Sequence, residues 1–272
     1  MSVTRFARHA SLLILGIIWI LPLYLVLINT VASPAEFRKK AVYAAPGSFA
    51  LWDNITAAWN AASLGATIAS TLFYAVAGGV LAVFLASLAA FALVNLNVRY
   101  GFGWFMLLYA GTIFPFQMYL SPLYSMYVTA HLYDTRVGLL ILYTAIAIPF
   151  AVFVIRNHFT SIPVDISEAA RLDGAGPFRV YAQLFVPLSL NAFATVFILQ
   201  FTWIWNDLLF GLTLSRSASV RPIMTALAGL QGQYASASIP VVLSGAIIVS
   251  IPTFILFFSV QRLFVRGLAI AR

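Results

Sequence analysis

The chain has 272 residues, of which 62% are hydrophobic and only 8% are charged. Soluble domains carry about 25% charged residues, so this composition cannot build a water-exposed surface, and lipid is the natural surrounding for the apolar excess. The basic residues behind the net charge of +8 are separated by long apolar stretches, which disfavours nucleic-acid binding, and the lack of cysteine excludes disulfides and thiolate metal sites.

Six segments are predicted to be transmembrane helices, because each is mostly apolar and about 20 residues or longer. They cover residues 10–31, 65–94, 103–127, 137–155, 190–214 and 240–264. A backbone in lipid must satisfy its own hydrogen bonds, which favours helices, and the run after Arg136 lacks the alternation of a barrel strand. The predicted fold is an all-α integral membrane protein with six transmembrane helices.

The first span follows the basic residues Arg5 and Arg8. It is long enough to cross the membrane and no small-residue cleavage site clearly follows it, which indicates a retained helix rather than a signal peptide. With the N-terminus in the cytoplasm, nine arginines lie inside and six basic residues outside, in the direction of the positive-inside rule. Residues 38–40 oppose this bias, but they lie in a longer loop where the rule is weaker. An even number of spans places both termini in the cytoplasm.

The predicted organisation has two parts. Residues 1–64 hold the first span and an outer loop, and residues 65–272 form a core with the other five spans. Four prolines are expected to bend or break helices of the core, namely Pro115, Pro122, Pro149 and Pro252. Breaks at membrane depth are tolerated where the backbone lines a cavity or packs against protein.

Residues 156–189, between the fourth and fifth spans, form the longest predicted cytoplasmic segment and are expected to fold as two short helices. Pro163 suits the first turn of one helix, Gly174 provides a left-handed stop, and Pro177 can start the other. Glu168 and Arg171 are three residues apart and can pair. In the second helix three aromatic residues share a face that suits the membrane interface, namely Phe178, Tyr181 and Phe185.

Ala169 and Ala170 put almost no bulk on the first of these helices. A helix with an alanine pair, flanking charges and a glycine end could insert closely into the groove of a partner. A short surface helix that merely closes the loop explains the same residues equally well.

The segment Glu168-Ala169-Ala170, followed by Gly174 and Pro187, resembles the EAA signature of binding-protein-dependent ABC importer permeases. Leu184 and Val186 stand where the family commonly has isoleucine and leucine. Four further features resemble carbohydrate-type members of the family: Ile162-Pro163, Arg171-Leu172-Asp173-Gly174-Ala175, Trp205-Asn206-Asp207 and the QRLFVRGL near the end. The last of these is similar to the tail of the maltose-type second permease subunit. The resemblance runs from about residue 66 to the end, but the final Ala-Ile-Ala-Arg departs from the family's tail.

The resemblance implies the type I importer architecture, with this chain forming half of a translocation path for sugars or oligosaccharides. It also implies that the loop 156–189 docks on an ATP-binding subunit. The implied coupling residues are Glu168, Ala169, Ala170, Asp173 and Gly174. The chain itself is not expected to be an enzyme, because it lacks a G-x-x-x-x-G-K-[ST] phosphate loop, and neither a cofactor nor a metal is predicted.

The implied partners are a second permease subunit in a heterodimer, two ATP-binding subunits, an extracytoplasmic solute-binding protein and the lipid of a bacterial inner membrane. Polar residues inside spans are costly and frequently functional, so the candidates for the translocation path are Gln117, Asn206 and Asp207, with Gln200 also inside a span. Helix capping is the favoured explanation for Asn206 and Asp207. Gln117 lies between two prolines, where cavity lining and helix–helix contact stay equally open.

Three other functions remain alternatives. An importer for a glycerol-phosphate-like or other small solute would share the same signature. A gradient-driven secondary transporter would need paired acidic residues in spans or inverted repeats, whereas the predicted spans contain one aspartate and no repeat. A membrane scaffold without transport activity would not need the EAA loop.

Overall fold

The computed structural model of the chain describes the backbone of residues 3–96, 98–231 and 237–269. Every regular element among these residues is helical, which confirms the predicted all-α class. The α-helices are α1 (Val3–Val31), α2 (Pro34–Phe37), α3 (Leu51–Ala61), α4 (Leu64–Phe73), α5 (Gly79–Asn95), α6 (Gly101–Ala110), α7 (Leu120–Thr129), α8 (Arg136–Thr160), α9 (Val164–Leu172), α10 (Pro177–Val180), α11 (Val186–Leu188), α12 (Leu190–Trp205), α13 (Leu209–Leu214), α14 (Ile223–Gly229) and α15 (Ile239–Ala269). The π-helical turns Tyr74–Gly78 and Tyr181–Phe185 join α4 to α5 and α10 to α11, and the 3-10 turn Phe116–Tyr119 precedes α7.

One compact unit consists of Met1–Gly65 and Ala226–Ile251. Helix α1 is strongly apolar, and none of its residues from Arg8 to Ile28 is buried, so this surface suits lipid. The buried carboxamide of Asn54 in α3 donates two hydrogen bonds of 2.9 Å to carbonyl oxygens at the end of α1. This pair of bonds fixes α3 to α1.

The loop after α1 is closed by Glu36. Its carboxylate accepts hydrogen bonds from the hydroxyl of Ser48 and from the backbone N–H groups of Gly47, at 2.5 Å, and of Ser48, at 3.1 Å. The bond from the Ser48 hydroxyl, followed by that from Gly47, lowers the pKa of Glu36 below its usual value. Glu36 is therefore a charged carboxylate at neutral pH and holds the loop in that form.

The other compact unit consists of Ala66–Thr225 and Pro252–Arg272, and its core lies where α5 packs against α8. Small residues make this approach close, because Ala82, Ala86 and Ala90 on α5 and Ala151 on α8 are all fully buried. The predicted division into residues 1–64 and 65–272 stays a prediction. The chain end at residues 270–272, part of the tail that departs from the family, lies outside the described residues.

The number of membrane crossings is the point at which the structure and the predicted topology differ. Within the part of the chain that the structure describes, four helical stretches are long and apolar enough to cross, namely Arg8–Val31, Leu64–Asn95, Arg136–Thr160 and Ile239–Ser259. A fifth crossing is available if Pro177–Leu188 and Leu190–Trp205, which meet at 74°, are counted as one bent span. The all-helical membrane fold is thus confirmed, whereas the count of six spans is not.

The predicted third span, residues 103–127, is not one continuous helix. Helix α6 ends at Ala110, and α7 begins only at Leu120 after a 3-10 turn. Pro115 lies at the start of that turn with φ −60° and ψ 129°, an extended conformation that no α-helix can accommodate. The interruption at residues 111–115 is the break that the proline at this position predicts.

The predicted fifth span, residues 190–214, is also divided. Helix α12 ends at Trp205, and α13 begins at Leu209.

The prediction that three aromatic residues of the loop's second helix face the membrane interface is wrong, because Tyr181 and Phe185 are buried and only Phe178 is exposed. Both buried rings pack edge-on against Phe91, with ring centres 5.3 and 5.1 Å away, so protein rather than the membrane interface covers them.

Candidate coupling loop and polar centre

The loop between α8 and α12 contains the five predicted coupling residues on or just after α9. Glu168, Ala169, Asp173 and Gly174 are exposed, whereas Ala170 is partly buried and packs against the core cluster around α8. The alanine pair therefore serves two surfaces: Ala170 faces this chain, and Ala169 faces outward. An exposed helix surface with little bulk is free to meet another protein closely.

The end of α9 is fixed by Gly174. Its φ of +81° lies in the left-handed region, which glycine adopts without the penalty that a Cβ brings. The N–H of Ala175 donates to the carbonyl of Ala170 at 2.9 Å, and the N–H of Gly174 donates to that of Arg171 at 3.0 Å. These two bonds are the pair that defines a Schellman motif, so the predicted left-handed stop is present in full.

Arg171 has a different partner from the one predicted. In place of a pair with Glu168, its guanidinium donates to the backbone carbonyl of Asn95 at 2.5 Å and to the side-chain oxygen of the same residue. Asn95 is the last residue of α5, where a cation complements the negative end of the helix dipole. Helix α9 is thereby attached to a helix of the core, and Glu168 keeps an exposed carboxylate.

A cleft of about 210 Å³ lies beside the predicted coupling residues. Its lining residues are Ala170, Asp173, Ala175, Arg179, Val180, Gln183 and Leu184. Arg179 donates from Nε to the side-chain oxygen of Gln183 at 3.0 Å, which holds both polar side chains at one wall. The sequence did not single out this cleft, nor did it single out Leu172, which is 90% exposed at the end of α9.

Asp207 occupies the break between α12 and α13 and is buried. Its carboxylate accepts a 2.8 Å hydrogen bond from the hydroxyl of Tyr143 on α8. It also accepts from the backbone N–H groups of Gly211, at 3.0 Å, and Phe210, at 3.3 Å, which are free donors at the start of α13. Asp207 therefore caps α13 and ties it to α8, which is the capping role that the sequence favours.

The other two candidates for the translocation path are exposed. The side-chain amide of Asn206 donates to the carbonyl of Thr202 at 2.7 Å, one turn earlier in α12. Gln117 lies in the 3-10 turn after the break, and the rings of its neighbours Phe116 and Tyr119 lie 5.5 and 6.4 Å from that of Phe210. The structure thus places the turn with Gln117 against α13. Among the described residues no three histidine or carboxylate side chains form a group that could hold a metal ion.

A second carboxylate organises the loop that follows α13. Asp134 accepts from the backbone N–H groups of Arg216, at 2.8 Å, and Ser217, at 3.0 Å, and from the hydroxyl of Ser217. Burial raises the pKa of Asp134, but the bonds from Ser217 and Arg216, with the nearby charge of Arg221, outweigh burial and bring the pKa below its usual 3.8. The hydroxyl of Tyr74, in the π-helical turn Tyr74–Gly78, donates to the backbone carbonyl of Val220 at 2.8 Å and so fixes the same loop.

Comparison with known proteins covers nearly the whole chain. Residues 1–270 match the family model of the binding-protein-dependent transport system inner membrane component. The melibiose/raffinose/stachyose import permease protein MelC of Bacillus subtilis is 30% identical over 250 residues, which cover 92% of this chain and 89% of MelC. The diacetylchitobiose uptake system permease protein NgcG of Streptomyces coelicolor is 31% identical over 217 residues, with 78% and 70% covered.

A solved structure shares the fold. It is the crystal structure of a bacterial ABC transporter involved in the import of the acidic polysaccharide alginate, and one of its chains superimposes with a TM-score of 0.77 at 25% sequence identity. The superposition covers 96% of this chain and 98% of the other. The fold of this chain is thus one that a chain of an ABC transporter involved in import also adopts.

Proposed function

The chain belongs to the family of binding-protein-dependent transport system inner membrane components, and on that premise we propose that it is a permease subunit of an ATP-driven importer for sugars or oligosaccharides. The observation that carries this conclusion is the family match over residues 1–270. The solute class is supported by the names of the relatives, which import melibiose, raffinose and stachyose or take up diacetylchitobiose. The alginate importer, whose substrate is a polysaccharide, supports the same class.

The coupling role is assigned to α9 and the turn after it. Glu168, Ala169, Ala170, Asp173 and Gly174 dock on an ATP-binding subunit, which carries out ATP hydrolysis. Three features support this assignment: an exposed surface with little bulk, an end fixed by the Schellman motif, and the attachment of Arg171 to Asn95. A helix that is rigid at its end and attached to α5 can pass a displacement to the membrane helices, whereas a loose loop would absorb it.

The translocation path is assigned to the side of the core where the two helix breaks meet. Gln117 and Asn206, both exposed in this single chain, face the path. The carboxylate of Asp207 already accepts hydrogen bonds from Tyr143 and from the start of α13. Asp207 therefore stabilises the helices that line the path and does not contact the solute itself. Backbone that leaves the helical conformation at membrane depth requires a cavity or surrounding protein, which is consistent with this location.

The complete importer contains a second, non-identical permease subunit, two ATP-binding subunits and an extracytoplasmic solute-binding protein. The chain crosses a bacterial inner membrane with both termini in the cytoplasm, so that the loop between α8 and α12 meets the ATP-binding subunit. The modest excess of arginine on that side supports this orientation.

The proposal is tested by affinity purification of the chain from its native membrane in mild detergent, with mass identification of the proteins that accompany it. We expect an ATP-binding subunit and a second multi-span subunit. The purified complex, placed in vesicles with its solute-binding protein, is expected to take up a sugar only when ATP is supplied. A chain that purifies alone, or uptake that follows an ion gradient without ATP, would contradict the proposal.

A further inference from the structure

The break at residues 111–115 opens next to a cavity of about 310 Å³. Its lining residues are Gly111, Thr112, Phe116, Ile146, Phe150, Leu199, Gln200 and Trp203. The break falls in residues 103–127, which the sequence predicts to be a span, and non-helical backbone at membrane depth is tolerated where it lines a water-filled cavity or is covered by protein. The cavity therefore lies where such a break in the helix is tolerated.

Two side chains of α12 give the cavity its chemistry. Gln200 and Trp203 are three residues apart and share one face of the helix. Gln200 is only 5% exposed, and its amide donates one hydrogen bond of 3.3 Å to the carbonyl of Ala147. A carboxamide has two N–H donors and an acceptor oxygen, so this single bond uses only part of its capacity. A buried amide at the wall of a cavity is suited to hold a polar ligand.

The indole of Trp203 is held by other rings. Tyr143 meets it edge-on at 6.3 Å, and Phe116 and Phe210 lie at 5.7 and 6.4 Å. Tyr143 is in turn fixed by its hydrogen bond to Asp207. The orientation of the indole is therefore fixed before any ligand binds, which reduces the conformational entropy lost on binding.

We propose that this cavity is a saccharide-binding subsite in the translocation path, where Trp203 stacks on the apolar face of a sugar ring and Gln200 hydrogen-bonds a sugar hydroxyl. The inference rests on the proposed function and adds to it a ligand class for a defined place in this chain. A sugar ring presents C–H groups on its faces and hydroxyls at its edge. The aromatic ring of Trp203 matches the C–H face, and the buried amide of Gln200 on the same side of the helix matches a hydroxyl. The volume lies at the lower end of small-molecule pockets, which run from about 300 to 1,000 Å³, and suits one end of an oligosaccharide.

A second groove of this unit provides the contrast. It has a volume of about 510 Å³ and lies between α5 and the start of α12, with Val80, Phe84 and Phe197 among its lining residues. Its two hydroxyl groups, those of Ser87 and Tyr181, bond each other at 2.7 Å. An apolar groove whose hydroxyl groups are paired internally suits an acyl chain or an apolar helix, so Phe84 serves as the control position.

The absence of cysteine from the chain allows a direct test of water access. In the complete importer, single cysteines are introduced as Thr112→Cys and Phe84→Cys and treated with a charged, water-soluble thiol reagent. Labelling is read on the separated band of this subunit. We expect Thr112→Cys to be labelled and to be protected by the imported sugar, and Phe84→Cys to stay unlabelled. If Thr112→Cys is as inert as the control, lipid or a partner helix fills the cavity and the proposal is overturned.

Uptake kinetics test the ligand contacts. Radiolabelled raffinose and maltotriose are offered to wild-type importer in vesicles, and the saccharide that is imported serves as the probe. Trp203→Ala is expected to raise KM about tenfold, the scale expected when one aromatic stacking partner is lost, while Trp203→Phe keeps a ring and loses much less. Gln200→Met, which keeps the length of the side chain without its amide, is expected to raise KM as well and to leave the maximal rate within about twofold.

The outcomes separate the subsite from the proposed function. Unchanged KM for Trp203→Ala and Gln200→Met in an importer that works overturns the subsite and leaves the permease assignment in place. A wild-type importer that hydrolyses ATP in response to its binding protein but imports neither saccharide overturns the assigned ligand class and with it the subsite. A wild-type complex without ATP-dependent uptake of any solute contradicts the proposed function itself.

Discussion

The guanidinium of Arg171 donates hydrogen bonds to both oxygens of Asn95, a residue 76 positions earlier in the chain. Asn95 ends α5, and α5 packs along α8 through fully buried alanines. A displacement of α9 therefore has a direct route into the core of the membrane-embedded unit. Arg171 directly follows the alanine pair. Its bonds to Asn95 therefore give α9, the proposed coupling helix, a specific point of attachment to the core.

Replacing Arg171 by alanine is expected to weaken coupling without preventing assembly. A charge-assisted hydrogen bond at an exposed site contributes about 0.5–1 kcal/mol, which corresponds to about a two- to fivefold fall in solute imported per ATP hydrolysed. The measurement is uptake and ATP hydrolysis in the same vesicles. Asn95→Ala removes only the side-chain acceptor and keeps the backbone carbonyl, so it is expected to lower the ratio less than Arg171→Ala, and the double variant should lose little more than Arg171→Ala alone. Fully additive losses would argue that the two residues act separately.

Gly174 is expected to tolerate no side chain. An ideal Cβ at Gly174 meets nothing within 4 Å in this chain, so the penalty of Gly174→Ala is the backbone strain of about 1 kcal/mol at φ +81°. Gly174→Leu adds bulk at the docking surface and is expected to lower uptake per ATP about tenfold while the chain still reaches the membrane. Gly176→Ala is the matched control, since it has equal space and a φ of −71°. Equal effects of the two alanine substitutions would contradict the role of the left-handed turn.

The turn residues of the loop between α8 and α12 are local signals, and for that reason the sequence predicts this loop well. Pro163 precedes α9 and Gly174 ends it in the left-handed conformation, as short-range backbone preferences dictate. The partner of Arg171 could not be predicted in the same way, because Asn95 comes near only after α5 and α9 have packed. Local spacing favours Glu168 as the partner of Arg171, but the tertiary structure overrides this preference.

The apolar segments show a different limit. Hydrophobicity identifies residues that avoid water, but it does not distinguish a side chain covered by protein from one covered by lipid. The sequence pattern therefore predicts Tyr181 and Phe185 at the membrane interface, although Phe91 and other core residues cover them. The same lack of contrast makes residues 103–127 look like one span, although Pro115 in that run signals the interruption that the structure contains.

Asp207 is expected to be a structural carboxylate whose removal costs stability. Asp207→Ala leaves the hydroxyl of buried Tyr143 and two backbone donors of α13 without their acceptor, a loss of about 1–3 kcal/mol for each buried group left unpaired. Asp207→Asn keeps an acceptor oxygen and is expected to cost less. The measurement is thermal unfolding of the purified complex in detergent, with Tyr143→Phe as the companion variant.

Tyr143→Phe tests whether the carboxylate or the tyrosine matters more. The phenylalanine removes one donor, whereas the carboxylate keeps its bonds to Phe210 and Gly211, so the shift in melting temperature should be smaller than that of Asp207→Ala. Combining the two changes should cost less than their sum. If Asp207→Ala leaves the melting temperature unchanged and lowers uptake alone, the residue acts in the path rather than as a cap.

The loop held by Asp134 is expected to respond to acid. Because the folded pKa of Asp134 lies below its ordinary value of 3.8, its contribution to stability is complete above that pH and is lost as the pH falls through the lower folded value. Hydrogen exchange of the Arg216 and Ser217 amides measures this directly. Asp134→Asn is expected to speed their exchange at neutral pH, and the difference from wild type should vanish in strong acid. A difference that persists there would show that the carboxylate is not the group that titrates.

Leu172 is expected to contribute to association with the ATP-binding subunit and little to the stability of this chain. Its side chain is 90% exposed at the end of α9, directly before Asp173, so few contacts within the chain depend on it. Full burial of a leucine side chain contributes about 1.5–3 kcal/mol, and Leu172→Asp is therefore expected to weaken binding of the ATP-binding subunit about tenfold or more. The measurement is the fraction of that subunit retained during washing of the immobilised complex, with Leu172→Met as the control that keeps the apolar surface. An unchanged fraction for Leu172→Asp, with the melting temperature also unchanged, would show that the partner does not cover this end of the helix.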